Sequence, residues 1–179
     1  LRPESTTSWE IGMDARFMDN LFGIDVTYYE STSKDQIFAV PIAASSGFGA
    51  EVRNAGSISN KGWEVVLNAS PLRGAINWDI NVNFTKNVNK VEELAPGVDQ
   101  IFLGGFLGAS VRAVADQPYG SIYGFGWARD SASGEILIDD DPNSPSYGQP
   151  ILDPTERAFG SANPDWLMGI QNTISWNGL

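Results

Sequence analysis

Apolar and polar residues alternate along five segments of the chain, which is the pattern of a β-strand whose two faces meet different surroundings. The clearest segment places Ile76, Trp78, Ile80, Val82 and Phe84 on one face and Asn77, Asp79, Asn81, Asn83 and Thr85 on the other. The other segments are residues 9–17, 22–28, 63–70 and 166–176, the last of which is interrupted at Leu167 and Asn172. The pattern predicts an all-β, antiparallel protein.

The connections between these segments alternate between short and long. Asp19-Asn20 marks a tight reversal after the first strand, and Pro71 to Ala75 join the third strand to the fourth. The connections over residues of about 31–60 and 86–165 are too long to be ordinary hairpin loops. Outer-membrane barrels show this asymmetry, with short periplasmic turns and long extracellular loops. Parts of the long stretches have patterns of their own, namely strand extensions at 34–41 and 51–58 and a hairpin at 119–138 that turns around Ser131 to Gly134.

Alternation by itself leaves a membrane barrel and a soluble β-sandwich equally open, because both have strands with one apolar face. Three further features favour the barrel. The polar faces are hydrophilic almost throughout, three segments approach the 9 to 11 residues that cross a bilayer, and aromatic residues lie at strand ends, where interfacial girdles run. A single Trp is more often buried in the core of a soluble protein. The prediction of membrane-interface residues therefore depends on the repeated occurrence of aromatic residues at strand ends. The predicted membrane-interface aromatics are Trp9, Phe17, Tyr28, Trp63, Trp78, Phe84, Trp166 and Trp176.

Five strands do not close a membrane barrel, since closure takes at least about eight. Open edges in lipid would leave backbone N–H and C=O groups unpaired at a cost of several kcal/mol each. Asn177-Gly178 is a two-residue hairpin signal that is followed only by Leu179. We therefore expect residues 1–179 to be part of one larger barrel domain whose other strands come from elsewhere.

Composition excludes several classes of function. The formal charge of -11 disfavours nucleic acid, which is bound by clustered Lys and Arg. The chain has no cysteine and no histidine, so it lacks thiolate metal ligands and the commonest general base. No run of about 18 apolar residues predicts a membrane-spanning helix. We predict no catalytic residue, no metal site and no cofactor.

Three groups of residues remain as weaker candidates for chemistry or contact. Asp139-Asp140-Asp141, with Asp130 and Glu135, could supply oxygen ligands to calcium, but a solvated acidic loop is the better interpretation because the spacing is not that of an EF-hand. Carboxylates on the polar faces could act as catalytic pairs, although hydrated pore lining is the better default; they are Glu10, Asp14, Asp25, Glu64 and Asp79. Aromatic residues in the second long stretch could contact a substrate or a partner, or pack within the loops; they are Tyr119, Tyr123, Phe125 and Trp127, together with Phe102 and Phe106.

Several motifs, taken in order, resemble a known family. Leu1-Arg2-Pro3-Glu4 with Glu10-Ile11-Gly12, and Asn54-Ala55-Gly56 with Asn60-Lys61-Gly62-Trp63-Glu64, are similar to motifs of TonB-dependent receptors. Two later stretches narrow the resemblance to the SusC/RagA-type branch of Bacteroidota; they are Pro118-Tyr119-Gly120-Ser121-Ile122-Tyr123-Gly124 and Gly160-Ser161-Ala162-Asn163-Pro164-Asp165-Trp166. The resemblance covers essentially the whole chain.

The resemblance implies the C-terminal half of a 22-stranded barrel in the outer membrane of a Gram-negative bacterium, surrounded by outer-membrane lipid. It implies import of glycans or peptides, energy relayed by TonB, and a SusD-like lipoprotein on the extracellular face. The plug domain and the segment that contacts TonB are expected to lie outside this chain. Two alternatives remain: a soluble extracellular β-sandwich that binds glycans, and a barrel glycosidase whose activity would require a carboxylate pair.

Overall fold

The computed structural model describes residues 1–106 and 108–176, which form nine β-strands, one turn of 3₁₀ helix at Ala44–Ser46 and no α-helix. The larger sheet has the order β1 (Ser5–Phe17), β2 (Phe22–Pro41), β3 (Ala50–Leu72), β4 (Ile76–Leu94) and β9 (Leu167–Trp176). The smaller sheet has the order β5 (Gln100–Phe106), β6 (Ala109–Val114), β7 (Ser121–Gly124) and β8 (Arg157–Ser161). All strand pairs are antiparallel, which confirms the predicted fold class. Among the described residues, no helix has the length and apolarity to span a membrane.

Two short turns close one end of the larger sheet, which we call the short-turn end. Met18, Asp19 and Asn20 all have positive φ angles of 52° to 63°, a conformation that Asp and Asn tolerate better than most residues. The guanidinium of Arg73, in the second turn, donates hydrogen bonds to the carbonyl oxygens of Asp19, at 2.8 Å, and Asn20. The second connection is shorter than predicted, because Pro71 and Leu72 belong to β3 and only residues 73–75 lie between the strands. Proline is accommodated there because the β3–β4 register shifts between Ala69 and Leu72.

We call the opposite end of the larger sheet the long-loop end. The two long connections predicted there are not simple loops, because both contain strands. Strands β2 and β3 continue through residues 34–41 and 51–58, so that only residues 42–49 connect them. The stretch 86–165 contains the end of β4 and all of the smaller sheet. The hairpin around Ser131 to Gly134 is present as a bridge between Arg129 and Ile136, but residues 121–124 form strand β7 instead of belonging to it. The predicted turn at Asn177-Gly178 lies outside the described residues.

The register of the larger sheet places the alternating residues of neighbouring strands on common faces. Directly opposed residues in antiparallel strands share a face, and the ladder opposes Met13 to Val26, Val65 to Phe84, and Val82 to Ile170. We call this side the apolar face and the other side, which carries Asn68, Asn81 and Gln171, the polar face. The apolar face has no second protein layer against it in the described part of the chain, with side chains such as Ile11, Ile170 and Ile174 between 59% and 68% exposed.

A compact core lies near the long-loop end, where the smaller sheet packs on the larger one. Val91 of β4 is fully buried and opposes Ile58 of β3. Because Asn87, Asn89 and Val91 alternate along β4, this core covers the continuation of the polar face. The smaller sheet contributes the cross-strand partners Ile101 and Ala113 to the same cluster. The smaller sheet is thereby held on the polar side of the larger sheet, opposite the uncovered apolar residues.

Candidate functional site

An aromatic row crosses the apolar face toward the long-loop end. The ring of Tyr28 lies between those of Trp9 and Trp63, with centroid distances of 5.3 Å and 4.9 Å. The ring of Phe84 on β4 stacks on that of Trp166, which directly precedes β9, at 6.2 Å. Tilted aromatic pairs at these distances stabilise one another beyond the area that they bury. The structure thus brings five of the eight predicted interface aromatics into one row across the whole sheet.

The remaining three predicted interface aromatics lie toward the short-turn end. Phe17 ends β1 and Trp176 ends β9, while the indole Nε1 of Trp78 donates a hydrogen bond to Asn172 Oδ1 at 3.3 Å. This bond explains the interruption of the pattern at Asn172, whose amide oxygen has a donor on its own face. Trp9 and Phe17 are eight residues apart on one strand, or about 27 Å. With a tilt of about 40°, the two aromatic levels are separated by about 21 Å, close to the apolar band of a transmembrane barrel.

The polar face is lined by amides and hydroxyls that hydrogen-bond across the strands. Asn81 Nδ2 donates to Asn68 Oδ1 at 2.6 Å, and Ser70 Oγ donates to Asp79 Oδ1 at 2.6 Å. Asn87 Nδ2 donates to Asn60 Oδ1 at 3.3 Å. These side chains have both donors and acceptors and remain partly open, so the face is suited to contact with water.

The Asn60-Lys61-Gly62-Trp63-Glu64 motif has a steric explanation on this face. Gly62 opposes Tyr29, and a Cβ atom at Gly62 would lie 2.6 Å from Tyr29 Oη and 2.4 Å from the carbonyl oxygen of Lys86. Glycine therefore allows the Tyr29 ring to lie across β3 and donate its hydroxyl hydrogen to Asn87 Oδ1 at 3.2 Å. The next residue, Trp63, points to the opposite face and joins the aromatic row.

Two motifs whose contacting residues are 52 positions apart in the sequence meet at an irregularity in β2. The β2–β3 register shifts twice between Ser33 and Ile37, and Asp35 has a φ angle of 57°. Asn54 accepts a hydrogen bond from the backbone N–H of Arg2 at 2.7 Å and donates to the carbonyl oxygens of Arg2 and Asp35. Glu4 Oε1 accepts from the backbone N–H of Ile37 at 2.7 Å. The Leu-Arg-Pro-Glu and Asn-Ala-Gly motifs thus stabilise a bulge together.

Of the five polar-face carboxylates, Asp14 and Asp25 oppose one another across the ladder, and the other three oppose uncharged residues. Asp14 opposes Asp25 in the ladder, and Arg16 Nη2 lies 3.0 Å from Asp14 Oδ2 in an exposed ion pair. Glu64 opposes Thr27, and Asp79 opposes Thr173 and accepts the hydrogen bond of Ser70. The fifth candidate, Glu10, opposes Tyr29. Within residues 1–106 and 108–176, no group of three or more acidic side chains is placed to hold a metal ion.

Two acidic residues of the second long stretch, Asp130 and Asp139, accept hydrogen bonds within its turns. Asp139 Oδ2 accepts hydrogen bonds from the hydroxyls of Ser144 and, at 2.7 Å, Ser146, which lower the pKa of its carboxyl below the ordinary value. Asp130 Oδ1 accepts from the backbone N–H groups of Ser133 and Ala132, at 2.7 Å and 3.0 Å, and its pKa is lowered for that reason. These two carboxylates therefore accept hydrogen bonds from groups of their own turns.

A polar cluster that the sequence did not single out lies on the smaller sheet. Arg112 Nη1 donates to Glu156 Oε2 at 2.7 Å, while Nη2 donates to Glu156 Oε1, so the pair is bidentate. The guanidinium carbon also lies 5.0 Å from the centre of the Tyr123 ring, whose hydroxyl donates to Gln117 Oε1 at 2.8 Å. Arg112 and Glu156 are 44 residues apart, which gives no local signal in the sequence.

The candidate loop aromatics fall into two groups. Tyr119 packs against the core near Phe38, at 6.4 Å between ring centroids, and Tyr123 is covered by Arg112. Phe125 and Trp127 are 39% and 47% exposed. Of the four side chains proposed as contacts, therefore, only these last two are open to solvent to a large extent. The further candidates Phe102 and Phe106 are also exposed.

Comparison with protein families identifies one matching model, described as "TonB dependent receptor-like, beta-barrel", over residues 1–149. TonB-dependent receptor P3 of Formosa agariphila is 25% identical over 98% of this chain and 19% of its own length. TonB-dependent receptor SusC of Bacteroides thetaiotaomicron is 32% identical over 55% of this chain and 10% of its own length.

Among solved structures, the RagAB peptide transporter matches with a TM-score of 0.73 at 21% identity. The match covers 97% of this chain and 20% of that chain. The chain thus spans about a fifth of the length of TonB-dependent receptor P3 and of the RagAB chain. The likeness to solved structures extends to both sheets and their connections, because almost the whole chain is superposed.

Proposed function

Since this chain belongs to the TonB-dependent receptor-like β-barrel family, of the SusC/RagA type, we propose that it forms part of the wall and extracellular face of an outer-membrane transporter. The apolar face contacts lipid, and the polar face lines the water-filled interior. The aromatic row of Trp9, Tyr28, Trp63, Phe84 and Trp166 lies at the extracellular interface, and Phe17, Trp78 and Trp176 lie at the periplasmic one. Further strands come from other parts of a longer protein.

The observation that carries this proposal is the uncovered apolar face. A soluble sandwich would cover that face with a second layer, because exposed apolar surface of this size is otherwise found at interfaces or in membranes. Within the described residues the only packed core lies on the other side of the sheet, near the long-loop end. Contact with lipid would make the exposure of these apolar side chains energetically favourable; they include Ile11, Met13, Ile170 and Ile174.

The transported molecule belongs to the peptides or oligosaccharides. The RagAB protein that this chain resembles in structure is a peptide transporter, and one relative in sequence is SusC. The smaller sheet, with Phe125 and Trp127 exposed beside it, is the part of this chain that extends over the mouth of the barrel. Aromatic side chains can stack on sugar rings or contact peptide side chains, so both classes fit.

Two partners follow from the same proposal. A SusD-like lipoprotein contacts the extracellular face, which in this chain is the long-loop end. TonB supplies energy through a plug domain encoded elsewhere in the longer protein. In this arrangement the residues of the chain bind and guide the substrate, while force is applied to another part of the transporter. The family consists of receptors rather than enzymes, and the bidentate Arg112–Glu156 pair acts as a structural contact of the smaller sheet.

Deletion of the full-length gene in the parent bacterium tests the proposal. Uptake of labelled oligosaccharides and of labelled peptides of matched size is compared in the deletion strain, the complemented strain and the wild type treated with a proton uncoupler. We expect one of the two classes to lose uptake on deletion and on uncoupling, with recovery on complementation. Unchanged uptake of both classes, together with a parent protein that is soluble without detergent, would contradict the proposal and favour the sandwich.

A further inference from the structure

All four lysines of the chain lie on the continuation of the apolar face, level with the aromatic row or beyond it toward the long-loop end. Lys61 is two residues from Trp63 along β3, and Lys86 is two residues from Phe84 along β4. Lys90 follows Lys86 on the same face by alternation, and Lys34 follows Tyr28 in the same way before the register shift in β2. Since the chain carries a net charge of -11, a basic composition does not explain this placement.

Three of the four lysines have no carboxylate within 4.0 Å among the described residues. Lys90 is neutralised by Asp116, at 2.7 Å, and by Glu92, at 3.3 Å. The ion pairs found in residues 1–106 and 108–176 include none at Lys34, Lys61 or Lys86. Glu30 opposes Lys61 in the ladder, but no ion pair joins them. The positive charge of Lys61 and Lys86 is therefore available to a ligand.

These two lysines border a shallow cleft on the apolar face. The cleft has a volume of about 260 Å³ and is lined by Tyr28, Lys61, Gly62, Trp63, Lys86 and Val88. Lys86 opposes Trp63 directly in the β3–β4 ladder, so an ammonium group can approach the aromatic ring on one side of the cleft. Two ammonium groups thus meet an apolar floor at the level where the membrane interface is proposed.

We infer that this cleft binds the phosphate group of an anionic lipid of the outer leaflet. Each lysine ammonium offers three hydrogen-bond donors to phosphate oxygens, and attraction of basic side chains to an anionic membrane surface strengthens the contact. The acyl chains of the lipid extend over Trp63 and Phe84 onto the apolar face. Aromatic rings such as these are enriched at the level of the lipid headgroups. The inference rests on the proposed function, because it requires the apolar face to contact the bilayer.

The test uses the full-length transporter, immobilised in non-ionic detergent, and radiolabelled monophosphorylated lipid A in a scintillation proximity assay. The same lipid after enzymatic dephosphorylation serves as the matched probe. The double variant K61A/K86A is expected to bind the phosphorylated lipid about 25-fold more weakly, because each basic residue contributes about a factor of five. The charge-retaining variant K61R/K86R is expected to stay within about threefold of the wild type.

The salt dependence of lipid binding by the wild type provides a second measurement that does not depend on the folding of a variant. Binding of the phosphorylated lipid should weaken steeply between 50 and 500 mM salt, as expected for about two ionic contacts, whereas binding of the dephosphorylated lipid should not. Equal affinity for the two lipids, or unchanged affinity in a folded K61A/K86A protein, would overturn the inference. Displacement by millimolar inorganic phosphate would also overturn it, since the acyl chains would then contribute nothing. A parent protein that needs no detergent would instead refute the proposed function itself.

Discussion

At the scale of single residues, the position that depends most clearly on its residue type is Gly62. It has no side chain, and for that reason the Tyr29 ring can cross β3 and reach Asn87. The nearest atoms to a Cβ there include the carbonyl oxygen of Lys86, which belongs to the backbone of the paired strand and cannot rotate away. Any larger residue must therefore move either the ring or the ladder.

Replacing Gly62 with alanine is expected to destabilise the folded transporter by about 1–3 kcal/mol, the usual cost of an added methyl group in a closely packed place. The thermal midpoint of the detergent-solubilised full-length protein measures the effect. Gly74→Ala is the matched control, because nothing lies within 4 Å of a Cβ at Gly74. Equal midpoints for the two variants would show that the close approach of Tyr29 does not constrain this position.

Residue roles could be predicted from the sequence where they depend on the alternating pattern. The aromatics of the row and the amides of the polar face lie where alternation along each strand puts them. The contacts of Asn54 with Arg2 and of Arg112 with Glu156 could not be predicted, because their partners are 52 and 44 residues away. Tyr119 resembles an exposed loop residue in sequence, but the packing of the smaller sheet on the wall buries it in part.

At the scale of strands, the apolar face is a property of the ladder as a whole. Ile170 of β9 opposes Val82 of β4, and the next residue along β9, Gln171, opposes Asn81 on the polar face. A strand in a membrane barrel tolerates charge on its water side but not on its lipid side. The same substitution can therefore be made at two adjacent positions of β9, Ile170 on the proposed lipid side and Gln171 on the proposed water side.

Ile170→Arg is expected to impair assembly of the transporter in the membrane, because an arginine near the middle of the lipid face costs about 2–4 kcal/mol. Gln171→Arg, one residue away, should assemble like the wild type. The folded fraction is read from the shift between unheated and heated samples on a gel after isolation of outer membranes. Equal assembly of both variants would be at odds with lipid contact on this face.

The sequence predicted the strands of the larger sheet well and the smaller sheet poorly. Strands β1, β2, β3, β4 and β9 contain long runs of alternation, as expected if successive residues face lipid and water in turn in the proposed barrel. Strands β5 to β8 are only four to seven residues long and are held by pairing with one another and by a shared core, so their pattern is weak. The joining of β4 to β9, across about 70 residues of chain, likewise depends on tertiary contacts and not on local signals.

At the scale of the whole molecule, one sheet has to separate two media. The apolar face is bounded by aromatic residues toward both ends, the polar face carries amides, and the packed core and smaller sheet lie at the long-loop end, which we propose to be extracellular. Unpaired edges at β1 and β9 are expected to pair with further strands of the longer protein, because open edges are not stable in lipid. Within this arrangement, lipid contact is the requirement from which wall, interface and lysine cleft all follow.

The most direct test measures which side chains of β4 meet lipid. This chain has no cysteine of its own. Single cysteines are introduced at each of positions 76–85 of the full-length protein, after replacement of any cysteine elsewhere in it, and are spin-labelled in lipid bilayers. Collision rates with oxygen, which partitions into lipid, should be high at even positions, and rates with a water-soluble nickel chelate should be high at odd positions. Labels at even positions that are immobilised by protein packing, or reached by the nickel chelate as readily as the odd ones, would contradict lipid contact on this face.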